Sequence, residues 1–244
     1  MRRRVVTPLC FVGLAAAGCA SPPSPLSPPP PPPHGPAPHG HSHPGQGLHK
    51  RFDGAEGWTK VFDAPERDEW QKPDTVLDAL ALTPTSLVAD VGAGTGYFSV
   101  RLARRVPEGK VFAIDVEADM VRYLAERAKR EALPGIVAIQ AAPHDPKIPE
   151  AVDVILVVDT LHHIDARDAY FAKLRERLRP GGRVAIVDFA KGATMGPPPE
   201  HRLAAEEVVA TAARAGLTKV REVALPQQYV LVFAVAPTQQ QGPK

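Results

Sequence analysis

The feature that most constrains this chain is a glycine-rich stretch, residues 88–99, which reads VADVGAGTGYFS. An apolar run ends in an acidic residue, passes three closely spaced glycines and enters a segment with helical spacing. Glycine has no Cβ, so it allows positive φ and lets a ligand approach the backbone closely. A helix that starts there directs its unpaired N–H groups and its positive dipole end at that ligand. The stretch predicts a ligand-binding loop at the carboxyl end of a first strand, although a tight turn without a ligand also fits a short glycine pattern.

Strand-like and helix-like segments alternate from residue 48 to residue 237, which favours one α/β domain with a largely parallel sheet. Strands are predicted at residues 87–91, 110–114, 136–140, 152–158, 183–188, 220–225 and 229–236. Helices are predicted over residues 52–82, 97–106 and 200–215, with two more capped by Asp119 and Asp165. The turn at residues 226–228 is so short that the last two strands must pair as an antiparallel hairpin.

Three motifs, in this order, resemble the class I S-adenosylmethionine-dependent methyltransferase family, most closely its small-molecule, quinone-methylating members. The glycines follow a G-x-G-x-G rhythm, and Tyr97 stands where dinucleotide-binding loops have their third glycine. An acidic residue, Asp115, follows the second strand, and residues 178–184 (LRPGGRV) resemble the family's Leu-x-Pro-Gly-Gly stretch. The resemblance implies a Rossmann-like three-layer sandwich with a seven-stranded, mostly parallel sheet whose last strand is antiparallel.

The same resemblance implies S-adenosyl-L-methionine as cofactor and assigns residues to each part of it. The glycine loop and Asp90 would hold the methionine part, Asp115 beside Val116 would hold the ribose with Glu117 as the alternative acid, and Asp159 would lie beside the methyl group. Asp145 would contact the adenine amino group, with His144 as the alternative. The predicted cofactor-binding residues are therefore Asp90, Gly92, Ala93, Gly94, Gly96, Asp115, Val116, Asp145 and Asp159.

Two adjacent histidines, His162 and His163, follow the fourth strand where the family places its substrate-facing motif. Imidazole titrates near neutral pH, so either residue can serve as a base if the methyl acceptor carries a proton. Each histidine also fits a packing or capping role for the next helix, and no third ligand accompanies them, so no metal is expected. The resemblance implies a small-molecule acceptor. Because residues 190–199 form a short connection, the N-terminal region with Trp58 and Trp70 is expected to supply the lid.

The first 18 residues have the layout of an export signal, with Arg2, Arg3 and Arg4 ahead of an apolar segment. Residues 14–19 (LAAAGC) resemble a bacterial lipobox, except that Ala16 stands where leucine is usual. Cleavage before Cys19 and lipidation of its sulfur would anchor the protein to a membrane of the cell envelope, facing the periplasm. An ordinary cleaved signal and a soluble periplasmic protein remain the alternative. The mature domain then has no cysteine, so its fold cannot depend on disulfides.

Residues 19–47 are dominated by Pro, Ser, Gly and His and are predicted to form a disordered linker, as are residues 238–244 at the C-terminus. The prolines at 28–33 favour an extended polyproline II spacer. His34, His39, His41 and His43 suit either a solvated linker or a weak metal-binding tract.

Charge excludes one class of partner. Of the 29 basic residues, three lie in the predicted signal, and the remaining 26 face 27 acidic ones. This balance gives no electrostatic footprint for nucleic acid. Two alternatives to the enzyme stay open: a non-catalytic binding or scaffold lipoprotein with the same fold, and an NAD-dependent oxidoreductase. S-adenosylmethionine is made in the cytosol, so an exported methyltransferase would need a supply of this cofactor in the cell envelope.

Overall fold

The structure, a computed structural model, describes residues 54–235. The predicted signal peptide, lipidated Cys19, linker and C-terminal tail lie outside these residues. The strands are β1 Leu87–Val91, β2 Lys110–Asp115, β3 Ile136–Gln140, β4 Val152–Val158, β5 Leu178–Phe189, β6 Leu217–Ala224 and β7 Gln228–Val235. The α-helices are α1 Ala55–Phe62, α2 Arg67–Gln71, α3 Pro73–Ala79, α4 Tyr97–Arg105, α5 Ala118–Arg130, α6 Arg167–Glu176 and α7 Ala205–Arg214, with single 3-10 turns at Leu161–His163 and Pro199–His201. None of the helices within these residues is long and apolar enough to cross a membrane.

All seven strands form one sheet in the order β3-β2-β1-β4-β5-β7-β6. The pairs from β3 through β5 are parallel, and β7 runs antiparallel to both of its neighbours, β5 and β6. The predicted fold class is therefore confirmed. Because β1, β2 and β4 are adjacent and parallel, their carboxyl ends meet at one edge of the sheet, where a doubly wound fold binds its ligands.

Two apolar cores cover the two faces of the sheet, because successive side chains of a strand point to opposite faces. In β1, Ala89 and Val91 pack into the core beneath α6 and α7, whereas Val88 packs into the core beneath α3 and α4. β4 is buried on both sides, so its sequence is a nearly continuous apolar run. This arrangement gives the three layers predicted from the sequence.

Two predicted helix caps are wrong. α5 begins after Glu117, and Asp119 lies in its first turn, where Asp119 Oδ2 accepts a hydrogen bond from the Gly54 N–H at 3.1 Å. α6 begins one residue later than expected: its N-cap is Ala166, which has no capping side chain, and Asp165 lies just before it, after the 3-10 turn Leu161–His163. The predicted stop of α7 is confirmed, since Gly216 follows the helix with a φ of 76°.

Prolines and glycines explain the other boundaries that sequence periodicity placed wrongly. The N-terminal helical region is divided into three helices, and Pro73 is the first residue of α3, where its missing N–H leaves no hydrogen bond unmade. β5 begins at Leu178, not at residue 183, because the Pro-Gly-Gly segment forms an irregular part of the strand opposite β4. A Cβ on Gly182 would lie 2.9 Å from the carbonyl oxygen of Arg179, so this bulge requires glycine.

Candidate active site

One cavity of about 660 Å³ opens at the carboxyl ends of β1, β2 and β4. The glycine loop after β1 forms one wall, and the segment after β4 forms another. The N-terminal helical region and residues 195–198 cover it. The cavity therefore combines the loop and the histidine segment that the sequence analysis assigned separately.

The glycine loop has the backbone conformation that its sequence predicts. Gly92, Gly94 and Gly96 have φ values of 76°, 55° and 92°. Gly92, Ala93 and Gly94 line the cavity, and the N–H groups of Gly92 and Ala93 donate to the carbonyl of Ile114 at 2.8 and 3.0 Å. Gly96 does not line the cavity. It is the residue before α4, and a Cβ there would lie 2.7 Å from Leu124 Cδ2. Its role is to start the helix and allow close packing.

Asp90 lies at the buried end of the loop, with 2% of its surface exposed. Its Oδ2 accepts a hydrogen bond from Ser99 Oγ at 2.6 Å. Burial raises the pKa of Asp90 to about 6, and the neighbouring carboxylate of Asp115 adds to the shift, while the Ser99 hydrogen bond opposes it. A buried carboxylate in this state favours a ligand that brings positive charge.

Asp115 ends β2 and connects the loop to the neighbouring strand. Its Oδ2 accepts from the Gly94 N–H at 2.8 Å, and its Oδ1 accepts from the Glu117 N–H at 3.0 Å. Burial raises the pKa of Asp115, and these backbone hydrogen bonds oppose the rise. Val116 and Glu117 also line the cavity, and Val116 is 46% exposed at its rim. The predicted ribose-binding residues therefore face the same cavity as the loop.

The Thr95 hydroxyl provides an independent sign of a ligand. It is buried in the loop, and within residues 54–235 its Oγ1 has no hydrogen-bond partner. Buried polar atoms are almost always paired, so such an atom in a cavity wall is a place for a ligand's polar group. Together with the carboxylates of Asp90, Asp115 and Asp159, this set of groups fits a cationic nucleoside such as S-adenosylmethionine.

The structure does not bring Asp145 to the cavity. Residues 142–145 close on themselves through paired backbone hydrogen bonds between Ala142 and Asp145. The Asp145 side chain is exposed and accepts from the Lys147 N–H at 2.9 Å. Neither Asp145 nor the alternative His144 is among the residues that line the cavity. The adenine contact of Asp145 therefore stays a prediction that this cavity does not support, because the local turn uses the carboxylate.

Asp159 follows β4 with a φ of 50°, an unusual conformation for a residue with a side chain. Its Oδ1 accepts a hydrogen bond from Gln228 Nε2, and its Oδ2 lies 3.7 Å from Arg67 Nη2. Burial raises the pKa of Asp159 to about 7, and the positive charge of Arg67 opposes that rise. Backbone strain of this kind concentrates at functional sites.

His162 lines the cavity and pairs with a carboxylate that the sequence analysis missed. Its Nδ1 lies 2.9 Å from Oδ1 of Asp188, which also accepts the Phe189 N–H at 2.8 Å. Burial acts to lower the pKa of His162, but the hydrogen bond and charge of Asp188 outweigh burial and raise it. His163 also lines the cavity, with its ring centroid 4.2 Å from that of His162. The sequence did contain a signal for Asp188, because this acidic residue ends the strand predicted at residues 183–188.

The N-terminal helical region covers the cavity, as expected. Of its two tryptophans, only Trp70 lines the cavity. Val61, Phe62 and Trp70 line it, while Trp58 stacks behind Phe62 at a centroid distance of 5.3 Å. Arg67, which the sequence analysis also missed, lines the cavity as well.

The short connection after β5 contributes more than its length suggested, because Met195, Pro197 and Pro198 form part of the wall. Arg202 fixes this segment: its guanidinium donates to the carbonyls of Lys191 at 3.1 Å, Ala193 at 2.5 Å and Pro197 at 2.8 Å. Gln227 also holds the segment, because its side-chain Oε1 accepts the Thr194 N–H at 2.8 Å and its carbonyl accepts the Ala190 N–H at 3.0 Å. The cavity is therefore covered by this connection as well as by the N-terminal region that was expected to supply the lid.

Residues 88–182 match the family described as methyltransferase domain. An uncharacterised methyltransferase of Mycobacterium tuberculosis is 36% identical over 118 residues, which are 48% of this chain and 57% of that protein. A ubiquinone/menaquinone biosynthesis C-methyltransferase of Cupriavidus pinatubonensis is 29% identical over 109 residues, 44% of this chain and 45% of that protein. The chain thus spans about half the length of the curated relatives that it matches.

Solved structures give the same class. A crystal structure of a SAM-dependent methyltransferase from Aquifex aeolicus matches with 29% identity and a TM-score of 0.69, over 76% of this chain and all of that one. The cyclase SpnF matches with 22% identity and a TM-score of 0.55, over 63% of this chain and 58% of that one, which shows a shared fold only. The fold is that of the S-adenosylmethionine-dependent methyltransferase class, and residues 88–182 are similar to a methyltransferase domain. S-adenosyl-L-methionine, the cofactor expected from the sequence, is the cofactor of that class.

Proposed function

We propose that this protein transfers a methyl group from S-adenosylmethionine to a small-molecule acceptor that gives up a proton to His162. One observation carries the proposal: a single cavity joins the glycine loop to a buried histidine–aspartate pair. A cofactor bound at the glycine loop and an acceptor bound beside the histidine–aspartate pair would share this cavity. Much of the catalysis of a methyl transfer comes from such proximity and alignment.

The cofactor end is the part of the cavity lined by the loop and by the end of β2. Asp115 would accept hydrogen bonds from ribose hydroxyls, and Gly92 and Gly94 would allow the ligand to lie against the backbone. Asp90 and Asp159 would offset the positive charge of the ligand. When bound, S-adenosylmethionine supplies a methyl group activated by its sulfonium.

The acceptor end is largely apolar. The rings of Trp70 and Phe189 lie 5.7 Å apart, centroid to centroid, and Met195 with the following prolines completes the wall. An apolar cavity with a few polar groups is typical of a small-molecule site. This lining favours an acceptor with a flat, largely apolar body and one ionisable group.

His162 is the group that would take the acceptor's proton. Its Nδ1 is held by Asp188, so that Nε2 is the nitrogen free to act as base when the ring is neutral. Asp188 would fix the orientation of the ring and stabilise the imidazolium that forms, which makes it a positioning residue. His163 lies beside this pair and would act as a wall of the acceptor end.

The test is methyl transfer from S-adenosylmethionine labelled on its methyl group, incubated with the full chain and fractionated small-molecule extracts. We expect label in a low-molecular-mass product with wild type and a loss of about 10²- to 10⁴-fold with His162→Gln. Asp145→Ala, at an exposed residue outside the cavity, is the matched control and should transfer label normally. Cofactor binding with no labelled product from any fraction would instead indicate a binding or scaffold protein.

We also propose that Cys19 carries the lipid that anchors this domain to the cell envelope. The support is the sequence alone: a charged start, a short apolar segment and a small-residue run before Cys19. Several acyl chains on one residue would hold the protein stably on a membrane, whereas a single chain would not. Labelled palmitate should enter the wild-type chain in a bacterial host and be absent from Cys19→Ala. Equal labelling of both would exclude this lipid site.

A further inference from the structure

We infer that Arg67 binds the α-carboxylate of the cofactor's methionine part, next to Asp159, which faces the α-ammonium group. This inference rests on the proposed function, because it concerns the same cofactor. The sequence pattern gave Arg67 no role, since it lies in the N-terminal helical region and outside every motif. Its burial, its unused hydrogen-bond donors and the charge of its neighbours support this role.

Arg67 is a buried cation in the cavity wall. Its side chain is only 12% exposed, and burial lowers the pKa of the guanidinium despite the nearby charge of Asp159. A buried arginine is costly unless it is paired and hydrogen-bonded. Its partner here is incomplete, because the nearest carboxylate oxygen, Asp159 Oδ2, lies 3.7 Å from Nη2, beyond hydrogen-bond distance. The cation is therefore placed to receive a further anion.

The rest of the side chain is rigidly held. Nε donates to Gln71 Oε1 at 2.8 Å, and Nη1 donates to the Phe62 carbonyl at 2.7 Å. The guanidinium packs against the ring of Tyr97, with its Cζ 4.0 Å from the ring centroid. Nη2 donates no hydrogen bond to any residue in the described part of the chain, so both of its N–H groups are left for a ligand.

The charges around Arg67 match those of an amino acid. Asp159 and Asp90 line the same cavity, and the charge of the guanidinium opposes the rise that burial causes in the pKa of both carboxyls. A free α-amino acid carries one carboxylate and one ammonium on the same carbon. It therefore requires an anion-binding donor close to a carboxylate, and Arg67 with Asp159 provides both.

A second arginine offers a matched control. Arg101 packs against the same Tyr97 ring, with its Cζ 3.9 Å from the centroid. It pairs with Asp68 at 2.9 Å and does not line the cavity. Replacing either arginine by glutamine removes one cation from this tyrosine, but only the replacement of Arg67 changes the cavity.

The experiment is calorimetry of the full chain with three ligands: S-adenosylhomocysteine, its decarboxylated analogue and methylthioadenosine, which lacks the whole amino-acid end. We expect Arg67→Gln to weaken S-adenosylhomocysteine by about 10- to 100-fold, the range for a hydrogen bond to a charged group. Binding of the two ligands without a carboxylate should change less than about threefold, and Arg101→Gln should leave all three affinities unchanged. Arg67→Lys, which keeps the charge without the fork, should recover part of the loss.

Two results would overturn the inference. An equal loss for all three ligands would mean that Arg67 only supports the cavity wall through Phe62 and Gln71. An unchanged affinity for S-adenosylhomocysteine would assign the guanidinium to the acceptor or to packing. Failure of the wild-type chain to bind any of the three ligands would instead contradict the proposed function, and this inference with it. A normal unfolding transition of Arg67→Gln excludes loss of the fold as the cause.

Discussion

The imidazole Nδ1 of His162 lies 2.9 Å from the carboxylate Oδ1 of Asp188, and the two residues are 5% and 0% exposed. The other oxygen of Asp188, Oδ2, is buried and has no partner within the described residues. A carboxylate buried in this way stabilises positive charge on the histidine more than water would. In the proposed function this pair would act as the base, and Asp188 would set the pKa of its imidazole.

The first prediction concerns the pH dependence of methyl transfer. The pKa of His162 is raised, so the neutral, basic form increases only as pH rises through a value above its ordinary 6.5 or so. Asp188→Asn removes the partner that raises this pKa. Its acid limb should therefore shift to lower pH while the maximal rate falls about tenfold or more, because the ring is less well oriented. A rate–pH profile measures both changes. An unshifted acid limb in Asp188→Asn would separate His162 from the chemistry.

The second prediction is that cofactor binding releases protons near pH 6.5. The pKa values of Asp90 and Asp159 are raised to about 6 and about 7, so both carboxyls are partly protonated in the free protein at that pH. A bound sulfonium or ammonium favours their ionised forms. Calorimetry in two buffers with different ionisation enthalpies should show net proton release. Proton uptake, or no dependence on the buffer, would contradict the proposed cofactor contacts.

The same two carboxyls affect stability without ligand. Their folded pKa values lie above the unfolded value of 3.8, so their contribution to the free energy of unfolding is complete below that pH. It is lost as pH rises through about 6 and about 7. In wild type, the free energy of unfolding should therefore be larger at pH 5 than at pH 8. The difference between the two pH values should be smaller in Asp159→Asn, because asparagine does not titrate. Denaturant unfolding at both pH values measures it.

The third prediction separates the two acids proposed to bind the nucleoside. Asp115→Ala should weaken S-adenosylhomocysteine binding by about 1–3 kcal/mol, because the ligand would lose hydrogen bonds to a charged acceptor and the loop would lose its tie through Gly94. Asp145→Ala should leave the affinity unchanged, since Asp145 is exposed outside the cavity. Calorimetry measures both. The reverse pattern would show that the adenine contact predicted from the sequence exists and that the ribose contact does not.

The fourth prediction compares two glycines with similar backbone angles and different surroundings. Gly92 and Gly181 have φ values of 76° and 80°, so an added Cβ strains both by about 1–2 kcal/mol. At Gly92 the Cβ would also lie 2.0 Å from Thr160 Oγ1, whereas at Gly181 nothing lies within 4 Å. Denaturant unfolding should show Gly92→Ala to be less stable than Gly181→Ala by a further 1–3 kcal/mol or so, the usual cost of overpacking. Equal losses would mean that Thr160 moves aside freely.

The sequence predicts the fold well because two features can be recognised in short stretches of sequence: the apolar runs of buried strands and the glycines that end helices. β1, β3 and β4 have the predicted bounds, and the hairpin of β6 and β7 pairs as expected. The caps at Asp119 and Asp165 failed for a different reason. Capping residues are recognised by type, and an aspartate near a helix start is used elsewhere when tertiary contacts compete, as Asp119 is by the Gly54 N–H.

The site was predicted where chemistry follows a motif and missed where it depends on contact across the fold. Asp90, Asp115, Asp159 and both histidines line the cavity because each lies at, or shortly after, the carboxyl end of a parallel strand. Arg67 lies outside every motif and reaches the cavity only because α2 packs over the sheet edge. Asp188 is the last residue but one of β5, close to a strand end like the other acids, but its pairing with His162 depends on the position of a 3-10 turn that no periodicity reveals.

The central claim is that this cavity binds S-adenosylmethionine. Calorimetry of the full chain with S-adenosylmethionine, S-adenosylhomocysteine and NAD tests it most directly. We predict that the first two bind at one site per chain, that Asp115→Ala weakens both, and that NAD does not bind. NAD binding without the other two, or no binding of either adenosyl ligand, would contradict the account.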